Sequence, residues 1–402
     1  MPGNAGAALM YDMFEGLIAV DAAGELIPGL AESHTLSPDG LTYTFTLREN
    51  LKWSDGTPLT SEDVVYSFRR SVDPTLATRS GRVLSAVRNY RQILRGQIPP
   101  DRLGVSAPDE RTVVIEIESP TSYMLDALAS FSAAIVPRHA IEPNGERWTT
   151  PDNIVTSGPY TLAEWIPNTS IRLVKNENYH DAANVSIAEV IFYPVERPAT
   201  AVTRYRAGEL DVVFNIPADQ IESLRSGGLA EQIHSSASIG VFYVLLNNKS
   251  GPTQDQRVRE ALSLTVDRNL IANQLLRNEG DPAYTIVPAA MPDYDSPPMP
   301  MEAMSMDERK ARTQSLLQAA ELQRLQSAAL PTSSAARISR RIAVALQAMW
   351  QEVGINVTLD NVGGNGVVAD ARVPAISKRC AISTPFQDPV VFLQLMQKPR
   401  PM

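Results

Sequence analysis

At 402 residues the chain is too long for one ordinary core, which points to two or three domains. Its 44% hydrophobic and 20% charged residues are those of a folding sequence, and a net charge of −9 argues against nucleic acid and anionic membrane, which recruit clustered Lys and Arg. One cysteine, Cys380, excludes an internal disulfide or cysteine metal site, and the four histidines have no HExxH-like spacing.

Residues 1–16 (MPGNAGAALMYDMFEG) lack a basic start and a long apolar run, so they are not a signal peptide. No stretch approaches ~18 uncharged apolar residues, so no transmembrane helix is expected. The protein is therefore either cytoplasmic or exported by a segment outside this chain.

Residues 7–34 are expected to form a short helix, a turn at Ala22-Ala23-Gly24 and a loop. Residues 41–74 carry the densest local signal. Thr42–Leu47 alternates, with Tyr43, Phe45 and Leu47 on one face, as in a half-buried strand. Ser54-Asp55-Gly56-Thr57-Pro58 is turn chemistry. Thr60 followed three residues later by Asp63 resembles a capping box, and Val64, Val65 and Phe68 continue at helical spacing until Asp73-Pro74 ends the run. Residues 77–98 read as a basic helical segment, 111–118 as a strand and 121–131 as a helix.

Two strands are expected within 158–175 and another at 190–195. A helix at 199–208 should stop at Gly208. A strand at 210–214, a short helix at 219–225 and an apolar strand at 242–246 follow. Residues 256–278 read as one long amphipathic helix and 282–300 as Pro-rich loop. Helices at 306–328 and 338–353 and a strand at 355–359 complete a mixed α/β pattern without sustained repeats.

No GxSxG, Walker, Rossmann or CxxC motif is present, and Gly363-Gly364-Asn365-Gly366 reads as a loop. Carboxylate pairs such as Glu62/Asp63 and Glu116/Glu118 read as solvated faces. Trp53, Tyr160, Trp165, Phe242 and Tyr243 lie in or beside strands, where most belong to a core and some could line a cleft. The residues themselves show no catalytic set.

Several stretches, in order, resemble the family 5 extracellular solute-binding proteins, and within them the oligopeptide-binding proteins of ABC importers. They are PGLAES (28–33), TFTLRENLKWSDGTPLTSEDVVYSF (44–68), Asp73-Pro74, NIVTSGPY (153–160), RYRAGELD (204–211), Asn247-Asn248, RVREAL (257–262) and Asp267-Arg268. The resemblance implies an α/β, two-lobed type II periplasmic-binding-protein fold with an extra inserted small domain. Lobe I would be 1–14 plus 141–238, the small domain 15–140, and lobe II 239–402, with the C-terminal lobe truncated. It implies an oligopeptide held in the inter-lobe cleft by hinge closure and strand-like hydrogen bonds. No bond is broken, and no cofactor or metal is implied. The implied setting is the periplasm, with ABC importer permease subunits of the inner membrane as partners and a monomeric state. A murein-peptide or nickel-type binder of the same fold, a damaged non-functional copy, and an enzyme with an unrecognised site stay open as alternatives.

For the site, the resemblance implies that Arg379 and Arg372 match basic cleft positions and that Tyr243 and Asn215 match cleft-lining ones. A surface Arg, a core Tyr and a turn Asn are the alternatives. The aspartate that would hold the peptide's α-ammonium falls at Pro385, which has no acceptor side chain. Residues 320–339 and 363–385 depart from the family's pattern while their flanks match, as compensating frameshifts would produce. In the first of them the family's expected strand and polar turn are not recognisable.

Overall fold

The computed structural model describes residues 4–76, 80–214, 216–234, 240–249, 251–277, 280–289, 291, 294–320, 325–332, 337–361 and 376–383. The chain divides into two compact units, Met1–Glu196 and Arg197–Met402.

The first unit begins with α1 (Asn4–Met13) and a small antiparallel ribbon, β1 (Ile18–Val20) with β2 (Leu26–Pro28). Asp21 closes that turn by accepting from the Ala23 and Glu25 N–H groups. Strands β3 (Ala31–Leu36) and β4 (Thr42–Leu47) follow, then α2 (Ser61–Ser71), α3 (Tyr90–Leu94), β5 (Val105–Asp109) and β6 (Thr112–Glu116). They form a four-stranded antiparallel sheet in the order β3-β4-β6-β5.

The alternation read in β4 is the observed one. Tyr43, Phe45 and Leu47 are buried, and Tyr43 and Phe45 stand opposite Ile115 and Val113 of β6. Helix α2 packs on β5 and β6 with Val64, Val65 and Phe68 buried. Each such side chain contributes about 1.5–3 kcal/mol by burial. At its start the Thr60 N–H donates to Asp63 Oδ2 at 2.9 Å, as the spacing suggested.

Two expectations in this unit need correction. Residues 31–36 are a strand, not a loop: AESHTL shows no alternation because this edge strand is almost wholly exposed and is held by its ladder to β4. Residues 80–98 form a 3-10 turn (Ser80–Leu84) and the one-turn α3, not a continuous helix; 77–79 lie outside the described residues.

Helices α4 (Met124–Ala129) and α5 (Arg138–Asn144) lead to a three-stranded antiparallel sheet of β7 (Tyr160–Ile166), β8 (Ser170–Lys175) and β9 (Glu189–Phe192). Leu9, Met13 and Phe14, from α1 and the residue after it, bury against Tyr160, Leu162, Ile171 and Leu173 of this sheet. Backbone contacts are close there. Gly158 N–H donates to Met13 O at 2.9 Å, and a Cβ on Gly158 would lie 2.7 Å from the Met13 carbonyl carbon.

The second unit contains α6 (Pro198–Arg206), α7 (Ala218–Leu224), β10 (Gly240–Leu246), α8 (Gln256–Leu264), α9 (Met306–Ala319), β11 (Leu325–Thr332), α10 (Arg337–Gln351), β12 (Ile355–Asn361) and β13 (Ile376–Ser383). Strands β10 and β13 pair antiparallel, and β11 and β12 pair parallel. Val258 and Leu262 of α8, Leu316 and Leu317 of α9, and Leu346 and Trp350 of α10 share one core. The Trp350 indole N–H is satisfied within it by Leu262 O at 2.9 Å.

Here α6 ends before Gly208, which takes φ +76°, as expected. Residues 210–214 are not a strand: Val212 and Phe214 are 65% and 61% exposed, so their β-forming side chains have no surface to pack on. The helix expected over 256–278 is broken at 265–267. Thr265 Oγ1 bonds back to Ala261 O, and Asp267 Oδ1 caps a new helical segment through Leu270 N–H at 2.9 Å. Helix α9 stops at Ala319, and β11 occupies the stretch where the family's strand was unrecognisable. Among the described residues no helix is long and apolar enough to cross a membrane.

Candidate ligand-binding site

Strand β10 (GVFYVLL) has two working faces. Phe242, Val244 and Leu246 pack against the α8–α9–α10 core. Tyr243 turns to a separate small cluster of Val241, Val287 and Met291, with Ile286 and Tyr294 beside it. Period-two alternation in an apolar strand produces this division.

Its partner β13 carries one of the expected basic residues. Tyr243 stands in register with Arg379, and Val244 with Lys378. Between Val241 and Tyr243 the register slips: the two-residue step on β10 faces a three-residue step from Ile382 to Arg379 on β13. Such bulges re-aim the flanking positions. Two of the four candidate residues are thus brought opposite each other along the backbone. Asn215, Arg372 and Pro385 lie outside the described residues, as do Gly363–Gly366.

A concave feature lies at the RYRAGELD segment. A depression of about 410 Å³ is lined by Tyr205, Arg206, Leu210, Asp211, Gly227, Leu229 and Gln232. Tyr205 Oη donates to Gln232 Oε1 at 2.6 Å, and Arg204 pairs with Glu209 at 2.8 Å. These side chains could take polar groups of a ligand, but among the described residues no buried charged group lines the depression.

Sequence reading also missed a nearly buried polar cluster in the first unit. Glu15 Oε1 accepts from Tyr179 Oη at 3.0 Å, and Glu15 Oε2 meets His180 Nε2 at 2.7 Å, with the Glu15 and His180 side chains 12% and 13% exposed. Glu15 N–H donates to Ser157 Oγ. Burial, then the neighbouring Glu15 carboxylate, raises the Tyr179 hydroxyl above its ordinary range. Nearby, the side chains of Asp55 and His139 pair at 2.9 Å. Among the described residues no group of three His, Cys, Asp or Glu side chains is arranged to hold a metal ion.

Each compact unit is built of short sheets and helices, and the fold as a whole is found in solved structures. The chain superposes on the Escherichia coli murein tripeptide binding protein MppA with a TM-score of 0.89 and 32% identity, covering 98% of this chain and 78% of that one. It has the α/β fold of the type II periplasmic binding proteins. The family model "Bacterial extracellular solute-binding proteins, family 5 Middle" matches residues 25–400, and the chain belongs to that family.

Among curated relatives it is 35% identical over 359 residues to the periplasmic murein peptide-binding protein MppA of Escherichia coli K12, covering 88% of this chain and 66% of that protein. It is 34% identical over 360 residues to the periplasmic oligopeptide-binding protein OppA of Salmonella typhimurium, covering 87% and 65% respectively. The chain therefore spans just under two thirds of the length of these relatives.

Proposed function

We propose that this chain belongs to the substrate-binding component of an ABC importer and takes oligopeptides for import, breaking no bond. In this reading residues 1–14 and 141–238 form lobe I, 15–140 an inserted small domain and 239–402 lobe II, with the ligand held between the lobes. The packing of Leu9, Met13 and Phe14 on the β7–β8–β9 sheet supports joining residue 1–14 to 141–238. The protein would act in the periplasm as a monomer that delivers peptide to inner-membrane permease subunits.

The observation that carries the reading is the ladder position of Tyr243 opposite Arg379 in a chain of this family. An aromatic hydroxyl and a guanidinium at neighbouring positions suit a peptide's carbonyl and carboxylate groups. Arg372 and Asn215 would complete the lining. The identity to MppA favours a second reading, a murein peptide as ligand.

Isothermal titration with a pool of linear tri- to pentapeptides, set against the murein tripeptide, separates the two. Heat with the linear pool supports the first reading, and heat with the murein tripeptide alone supports the second. A folded chain that binds neither sinks both, and so does hydrolysis of the added peptides.

A further inference from the structure

Five methionines fall within residues 291–306 (MPDYDSPPMPMEAMSM). Three are apolar filling: Met291 is buried beside Val241 and Val287, and Met301 and Met304 pack against the α8–α9–α10 core. Met306 has a different neighbour. It is half-buried in the first turn of α9, and its Sδ lies 3.8 Å from Nη1 of Arg309, three residues on.

Arg309 is 4% exposed and poorly supplied with acceptors. Nη2 donates to Tyr284 Oη at 3.2 Å, Nη1 meets the Met306 sulphur, and Nε has no partner among the described residues. The Tyr284 ring faces both the Arg268 guanidinium, at 4.9 Å, and that of Arg309, at 5.4 Å. Among the described residues neither guanidinium has a carboxylate partner in an ion pair. Arg268 is supplied with oxygens by Ala283 O, Ser263 O, Val266 O and Ser263 Oγ, so it is the buried Arg309 guanidinium that is short of them. A thioether is a weak acceptor, whereas oxidation makes the side chain polar.

We propose that Met306 is a reversible sulfoxidation site, with hydrogen peroxide as oxidant, and that Arg309 receives the new oxygen. The sulphur lone pair attacks one peroxide oxygen, and the O–O bond breaks as the S–O bond forms. Sulphur loses two electrons and the peroxide gains them. The departing hydroxide takes the proton from the transferred oxygen and leaves as water, so Arg309 keeps its own proton. The product sets a partly negative oxygen against a buried guanidinium, a charge-assisted hydrogen bond. The same oxygen on Met301 or Met304 would enter an apolar cluster and lose its hydration.

The test treats the folded chain with graded hydrogen peroxide and follows each methionine by peptide mass spectrometry, with thermal unfolding in parallel. Met306 is expected to oxidise at least as fast as Met299, although Met299 is 37% exposed, and methionine sulfoxide reductases are expected to reverse the change. Met306→Gln, whose amide oxygen stands in for the sulfoxide oxygen, is expected to melt about 2 °C or more above Met306→Leu. Slower oxidation at Met306 than at Met299 overturns the proposal. So does a glutamine variant that melts no higher than the leucine one.

Discussion

Tyr243 stands opposite Arg379 across the antiparallel β10–β13 ladder, immediately after a bulge. If this pair grips a peptide, replacing either residue weakens binding without unfolding the chain. Arg379→Gln is expected to lower peptide affinity about 10–100-fold, the range for losing a hydrogen bond to a charged group. Tyr243→Phe is expected to cost about tenfold or less. Titration calorimetry on both variants, with thermal midpoints as control, measures this; unchanged affinity in both removes the pair from the site.

Pro385 occupies the position at which the family resemblance expects an aspartate for the peptide's α-ammonium. Pro385→Asp is expected to tighten binding of free-amine peptides about tenfold or more and to leave N-acetylated peptides unaffected. Equal gains for both peptide classes would show that the new carboxylate acts through general charge alone.

Glu15 uses both carboxylate oxygens in a nearly buried cluster. Glu15→Ala would strand the Tyr179 hydroxyl and the His180 ring nitrogen, at an expected cost of about 2–4 kcal/mol. Tyr179→Phe, which removes one donor and keeps the ring, is expected to cost about 1 kcal/mol. Urea unfolding compares the two; a smaller loss for the Glu15 variant than for the Tyr179 variant contradicts the shared-acceptor account.

Asp55 and Asp63 are neighbours with opposite shifts. Burial works against ionisation of Asp55, but the Thr57 N–H and His139 outweigh it and hold its carboxyl below the ordinary range. Burial of Asp63 prevails over the Thr60 N–H and raises its carboxyl. A lowered native value stabilises the fold above about pH 4, and that contribution is lost as pH falls through the native value. A raised native value does the reverse: the ionised group costs stability at neutral pH, and the cost fades as pH falls toward about 4. Asp55→Asn is thus expected to destabilise at pH 7 and to match wild type in strong acid. Asp63→Asn, which keeps an acceptor for Thr60, is expected to gain at pH 7 relative to pH 4. Denaturant curves at pH 7, at pH 4 and in strong acid decide the signs.

Much of the fold could be read where structure is local. The alternation of Tyr43, Phe45 and Leu47 and the Thr60–Asp63 start of α2 need only their own neighbours. Strand β3 could not be read, since its register with β4 (His34 to Phe45, Thr35 to Thr44) leaves no pattern in AESHTL. The break of the helix after Leu264 was written in Thr265 and Asp267, but the apolar spacing of Val266, Leu270 and Ile271 masked it. The candidate site is harder still. β10 announces itself as a strand, yet nothing in its residues names β13 as its partner, and Glu15 and His180 meet across 165 positions.

The division of labour within β10 limits how this protein can diversify. Phe242, Val244 and Leu246 hold the α8–α9–α10 core, while Tyr243 faces the other way. A single inserted or deleted residue in this strand would exchange the two sets, exposing the core and burying the tyrosine. If Tyr243 lines the ligand site as proposed, new ligand preferences can arise here by substitution at position 243 but not by changes in strand length. A mutant library built around this site should vary side chains while keeping the residue count of β10 fixed.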